Sequence, residues 1–185
     1  MLLKFVSFMI EALISSKTRI KLLLKFFLNS NTKAYLRGLE SEFGESSNAI
    51  RLEINRFEQA GMLKSEMLGN KKIFQANIEH PLFKEIHNIL LKHVGIDHVI
   101  EQVINRLGEV DRVYLIGDFS KGSDSNMIDL ILIGDIDKPY LINLIEKTEH
   151  FVHRKIRYVI YSEAESQNLD WQKFNPKPLL IWSKD

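Results

Sequence analysis

Cysteine is absent from this chain of 185 residues. Without a thiol there can be no disulfide, no thiolate metal site and no cysteine nucleophile. A long apolar run is missing as well. Met1–Ile14 comes nearest, but Lys4, Ser7 and Glu11 interrupt it, well short of the roughly 20 apolar residues that cross a bilayer. It carries no A-x-A-like cleavage site, so the expectation is an amphipathic helix packed on its own domain or on a second subunit, with neither signal peptide nor membrane partner. Histidines lack metal-binding spacing: His80, His87 and His93 are seven and six residues apart, not the four that let two imidazoles on one helix share an ion. Neither a metal nor a cofactor is expected, and a reducing, cytoplasmic setting is compatible with the missing cysteine.

Net charge is also small, at +1, yet it is unevenly placed. Residues 1–95 hold 14 Lys/Arg against 9 Asp/Glu, while residues 96–185 hold 11 against 15, so the halves carry +5 and −4. A basic half suits a duplex partner, because neutralised phosphates release their counterions. An excess of five is modest for one protomer, so a homodimer is expected. The remaining composition is that of an ordinary globular protein of one or two small domains.

The most informative stretch runs from Gly44 to Ala76. Ser46 and Ser47 are N-cap residues for a helix whose Ile50, Ile54 and Phe57, with Ala49 and Ala60 alongside, fall on one face. Gly61 follows where a left-handed residue ends a helix near Ala60. Met62–Met67, the Gly69-Asn70 turn and Lys71–Ala76 then read as a hairpin with Lys71 and Lys72 at its tip. Upstream, Ser16 caps a helix over Lys17–Leu28 with Ile20, Leu23, Leu24 and Phe27 on one face. Asn29-Ser30-Asn31 breaks it, and a shorter helix from about Tyr35 to Phe43 adds Leu36, Leu39 and Phe43 to the same core. The order is helix, helix, turn, helix, wing.

These residues resemble the winged-helix domain of ArsR-type transcriptional regulators, in which a helix-turn-helix leads into E-x-A-G-hydrophobic-hydrophobic and a wing. Glu58, Ala60, Gly61, Met62 and Leu63 match that pattern, and the resemblance spans about residues 12–95. It implies double-stranded DNA as partner; the missing cysteines exclude the thiol-based metal sensing for which the family is best known. Asn48, Arg51 and Asn55 lie opposite the apolar face, so they can enter a major groove together, Arg suiting guanine and Asn adenine. The expected DNA contacts are Ser46, Ser47, Asn48, Arg51 and Asn55, with Lys71 and Lys72 on phosphates. Lys17, Lys33 and Arg37 are further candidates, and Glu53 beside Leu52 is expected to weaken affinity.

Beyond the wing, Asn77–Pro81 reads as a linker with Pro81 at a helix N1 position, and Phe83, Ile86, Ile89, Leu90 and His93 mark a fourth helix over about Leu82–Val94. Ile96–Leu107 is another helical pattern stopped by Gly108. Arg112–Gly117 and Met127–Ile133 read as strands joined by a polar loop over Asp118–Asn126. Pro139–His150 reads as a helix, Lys155–Tyr161 as a third strand, and the LLIW tail as a last strand or helix. The expected fold is α+β or α/β, with a winged helix-turn-helix at 1–95 and a small α/β domain at 96–185.

The run VYLIGDFSKGSDSNMIDLILIGDID resembles the signature of minimal nucleotidyltransferases of the DNA polymerase β-like superfamily, with Gly117, Phe119, Lys121, Gly122, Asp129 and Leu130 in matching places. The resemblance implies a nucleotide site at Gly117, Asp118, Lys121, Gly122 and Asp129. It departs from the pattern at Asp118, where the family has Ser, and at Met127, where the first metal-binding Asp is expected. In the third strand, Arg157 or Tyr158 stands where a carboxylate would complete the site. The resulting expectation is a non-enzymatic DNA-binding transcriptional regulator whose degenerate nucleotidyltransferase-like half senses a nucleotide or other small molecule, or dimerises. The alternatives are an active nucleotidyltransferase with a winged-helix targeting module, and a winged helix used for protein–protein contact.

Overall fold

Local capping sets where the helices begin. The computed structural model describes Ile10, residues 12–107, 109–175 and 177–184. Most of Met1–Ile14, and the stop at Gly108, lie outside these residues. Helix α1, Lys17–Leu23, starts at Ser16, whose hydroxyl accepts from the Arg19 N–H. It continues into a π-helical turn, Leu24–Leu28, in which five consecutive side chains are buried. A regular α-helical stripe would have turned Phe26 and Leu28 outward; both are buried instead, while Ile20 is only half-buried. The cause is tertiary, since this turn is flanked by elements from both halves of the chain.

Strand β1, Ala34–Tyr35, follows, then α2, Leu36–Phe43, and α3, Ser47–Gln59. Gly44 closes α2 in the left-handed region at φ 62°, and the Ser46 hydroxyl accepts from the Ala49 N–H to open α3. Ile50, Ile54 and Phe57 are buried as the spacing requires, but Ala60 is exposed. Strands β2, Leu63–Leu68, and β3, Lys71–Ala76, form the expected hairpin. The two-residue β1, too short to show a period, pairs antiparallel with β3, giving sheet order β1-β3-β2. Helix α4, Phe83–Val94, begins two residues after Pro81, so Pro81 is not its N1 residue; Ile89 is exposed, while Leu90, His93 and Val94 are buried.

The chain then runs through α5, Ile96–Val99, a second π-helical turn, Ile100–Ile104, and α6, Asn105–Leu107. Strand β4, Val110–Ile116, leads to a helical turn, α7, Gly117–Ser120, where an irregular loop was expected. Strand β5, Met127–Gly134, helix α8, Lys138–Val152, and strand β6, Lys155–Tyr161, form a parallel crossover. Helix α9, Glu163–Gln167, a 3-10 turn at Trp171–Lys173 and strand β7, Leu179–Ser183, end the described chain. The second sheet has order β6-β5-β4-β7, parallel only between β5 and β6. The fold is therefore a mixed α and β architecture with two separate sheets. No described helix is long and apolar enough to cross a membrane.

One apolar cluster runs through both halves, from Leu22 to Ile156. In the first half Phe27 sits 6.4 Å from Phe57 and 5.7 Å from Phe83, ring centre to ring centre. Polar contacts add to the junction. The buried Asn29 amide donates to the Ser120 carbonyl at 2.9 Å, and the Lys25 ammonium and Ser123 hydroxyl both donate to Glu42, at 2.7 and 3.1 Å.

Glu53 explains how α3 is held. The sequence suggested an acid that would weaken affinity for DNA; its carboxylate is buried and accepts from Arg19 at 2.9 and 3.3 Å and from Arg56 at 3.2 Å. Burial opposes its ionisation, but the hydrogen bonds from Arg19 and Ser16 and the charges of Arg19 and Arg56 outweigh it, so its pKa lies below the ordinary 4.5. A lowered folded-state pKa contributes stability that is present above about 4.5 and is lost as pH falls through the folded value. Glu53→Gln should therefore cost about 1–2 kcal/mol at neutral pH, with the gap to wild type closing in denaturant titrations below pH 4. A gap independent of pH would show that shape, not charge, makes the contribution.

Candidate functional site

Two hollows carry some of the residues singled out in the sequence. The first is a cleft of about 450 Å³ between α2, α3 and the β2–β3 hairpin, lined by Arg37, Arg51, Asn55, Asn70, Lys71 and Lys72 over a floor of Tyr35, Leu36, Ile54 and Phe74. None of these lining residues is acidic. Arg51 and Asn55 reach it because they lie one turn apart on the exposed face of α3, whose opposite face is anchored by Ile50, Ile54 and Phe57.

The four cations are not equally available. Lys72 donates to Glu58 at 2.8 Å and sits 5.2 Å from the Phe74 ring centre, while Lys71 lies 4.5 Å above Tyr35. Glu58 accepts from Lys72 and from the Ser65 hydroxyl, and these bonds hold its pKa below the ordinary value. By contrast, neither Arg37 nor Arg51 has an ion pair among the described residues. Of the two hairpin-tip lysines expected on phosphates, Lys72 is thus engaged by Glu58, while Lys71 lies over the Tyr35 ring. Arg37, one of the further candidates, is brought to the same cleft by α2.

Ser46, Ser47 and Asn48 do not line the cleft. Ser46 is committed to capping α3, and Asn48 is exposed one turn ahead of Arg51. Of the weaker candidates, Lys33 is held by Glu66 at 2.7 Å.

The second hollow, of about 610 Å³, opens on the second sheet and is lined by Ile116, Gly117, Asp129, Leu130, Arg157, Tyr158 and Val159. Asp129 lies directly across the strands from Ile116 on β4 and Arg157 on β6. The Arg157 guanidinium donates to the Asp129 carboxylate at 2.6 Å, with the acid side chain 13% exposed and the arginine 67% exposed. Hydrogen bonding to Asp129, then its charge and that of Asp118, raises the Arg157 pKa. The one carboxylate in this hollow is therefore neutralised by a cation from the chain itself.

Only part of the expected nucleotide site converges here. Gly117, at φ 69°, presses against Asp129, and a Cβ at this position would lie 2.5 Å from Oδ2. Asp118 is exposed and acts on Arg157 through its charge. Lys121 and Gly122 do not line the hollow: Lys121 is exposed, and Gly122 is buried against the backbone of Leu24 and Lys25. The matching glycine thus serves the junction between the halves. Asp124, in the loop ahead of β5, accepts from Arg154 at 2.9 Å. Among the described residues, no three His, Cys, Asp or Glu side chains are grouped to hold a metal ion.

No protein-family model matches the sequence, and no curated protein does. A solved structure, that of a candidate nucleotidyltransferase from Sulfolobus solfataricus, is similar over 49% of this chain and 78% of its own, at 16% identity and a TM-score of 0.32. A likeness of that size assigns neither substrate nor reaction. The neighbour is itself a candidate enzyme, so the expectation of a non-enzyme is withdrawn, and at that score the likeness says nothing of this chain's own activity.

Proposed function

We propose that this chain is a duplex-DNA-binding regulator of the winged helix-turn-helix type. In this reading residues 1–95 bind DNA and residues 96–185 form a sensing or pairing half. What carries it is the cleft in which Arg37, Arg51, Lys71 and Lys72 converge without an acidic lining residue. The order of α1, β1, α2, α3 and the β2–β3 hairpin, with β1 on the free edge of β3, supports the hairpin as a wing beside a recognition helix. Arg51 and Asn55 then read base edges, Arg37 and Lys71 hold phosphates, and Ser46, Ser47 and Asn48 border the groove at the start of α3. A homodimer doubles the basic surface, and the hollow beside Asp129 is where a nucleotide or other small effector would sit.

A fluorescence-polarisation titration against random duplex over a salt series tests this. Two phosphate contacts per protomer, from Arg37 and Lys71, give a slope of log K against log salt of about −2 for each protomer bound. Because Lys72 already pairs with Glu58, replacing Lys71 and Lys72 by Ala should lower that slope by about 1 rather than 2. A flat wild-type series would turn the cleft into a protein-binding surface.

A further inference from the structure

The two hollows are joined by a continuous set of contacts through α7. At one end, Gly117 abuts the Asp129 carboxylate, which Arg157 neutralises. Within α7, the Ser120 hydroxyl donates to the Gly117 carbonyl at 2.8 Å, tying the ends of the short helix together. At the other end, the Ser120 carbonyl accepts the buried amide of Asn29, and Gly122 is fitted onto the backbone of the π-helical turn. Ser123 and Lys25 then meet on Glu42 of α2, the helix that brings Arg37 to the basic cleft.

We propose that α7 is a relay, so that opening the Asp129–Arg157 pair changes affinity at the basic cleft. This deepens the DNA-binding reading and rests on it for its functional readout. The physical reason is the mostly buried state of Asp129. A carboxylate that loses its guanidinium must find another donor or move toward water, and the backbone pressed against it is Gly117. With no Cβ on Gly117, the adjustment passes into α7. From there the Asn29 hydrogen bond and the close fit of Gly122 transmit it to the π-helical turn, whose non-standard winding gives it a second, α-helical arrangement to shift toward. A small ligand that competes for either member of the ion pair would act in the same way, and the coupling would be reciprocal.

A double-mutant cycle in the full chain tests it. Arg157→Gln opens the pair at an exposed side chain, and Asn29→Ala cuts the relay at the junction. Expected is a change of about fivefold in random-duplex affinity for Arg157→Gln alone, falling below about 1.5-fold when Asn29→Ala is also present. The same effect in both backgrounds, or none in either, would overturn the relay. Hydrogen exchange gives a second readout that needs no DNA: Arg157→Gln should change amide protection over residues 24–28 and 36–43, and Asn29→Ala should abolish that change. Wild-type chain that fails to bind duplex, yet shows this exchange pattern, would remove the DNA reading and leave the relay standing. Unchanged protection would remove the relay whatever the duplex result.

Discussion

Gly122→Ala is expected to destabilise the chain by about 3 kcal/mol or more, the sum of two penalties that fall on the same atom. Gly122 holds φ at 77°, a region that costs an L-residue roughly 1–2 kcal/mol. Its Cβ would also overlap the Lys25 Cα and stand 2.8 Å from both the Leu24 carbonyl oxygen and the Lys25 nitrogen. These are backbone atoms of a buried turn, so the overlap cannot be relieved by a rotamer; the loop must lift, breaking the Asn29–Ser120 bond and parting apolar surface. Gly69→Ala is the matching control. Its φ of 62° carries similar strain, but nothing lies within 4 Å of the new atom, so it should cost only about 1–2 kcal/mol. Urea titrations of both variants separate strain from overlap. Equal losses would mean that the two halves slide apart without penalty.

The role of Gly122 also shows where the sequence stopped being informative. Its place in a nucleotide-binding pattern suggested a phosphate-side glycine, and only the fold brings it to Lys25, 97 positions earlier in the chain. Helix α3 was readable because its signals are local: Ser46 as cap, the Ile50–Ile54–Phe57 spacing and Gly61 at the end. Glu53 was misjudged because its partner Arg19 lies 34 residues away. The π-helical turn could not be foreseen, since burial on both sides overrides the helical period that Leu24–Leu28 would otherwise show. Helix α9 did leave a mark, the capping box Ser162 to Glu165, which would have located it. In the second hollow, the Asp129–Arg157 pairing was half-legible: Arg157 and Tyr158 were left as alternatives at that position, and strand register put Arg157 beside Asp129.

Arg37→Ala combined with Arg51→Ala should lower duplex affinity about 100-fold, with unfolding free energy within about 0.5 kcal/mol of wild type. Both side chains are exposed and free of ion pairs among the described residues, so their removal leaves no buried partner and the fold has little stake in them. That freedom is what distinguishes them from Lys72, whose charge is already engaged by Glu58, and from Lys71, which rests on Tyr35. If the cleft binds duplex as proposed, removing one arginine should cost about 1.4 kcal/mol, or tenfold, and the two reach the cleft from different helices, so the factors should multiply. The single variants divide the roles. Arg37→Ala should weaken every duplex alike and shallow the salt slope, whereas Arg51→Ala should weaken a selected duplex more than a random one, because a base-edge hydrogen bond exists only where the base is right. A combined effect below threefold, in a protein that unfolds like wild type, would remove the cleft as the DNA-binding surface. A full 100-fold effect with uniform behaviour of both singles would keep the cleft but leave base reading to Asn55 and the residues at the start of α3.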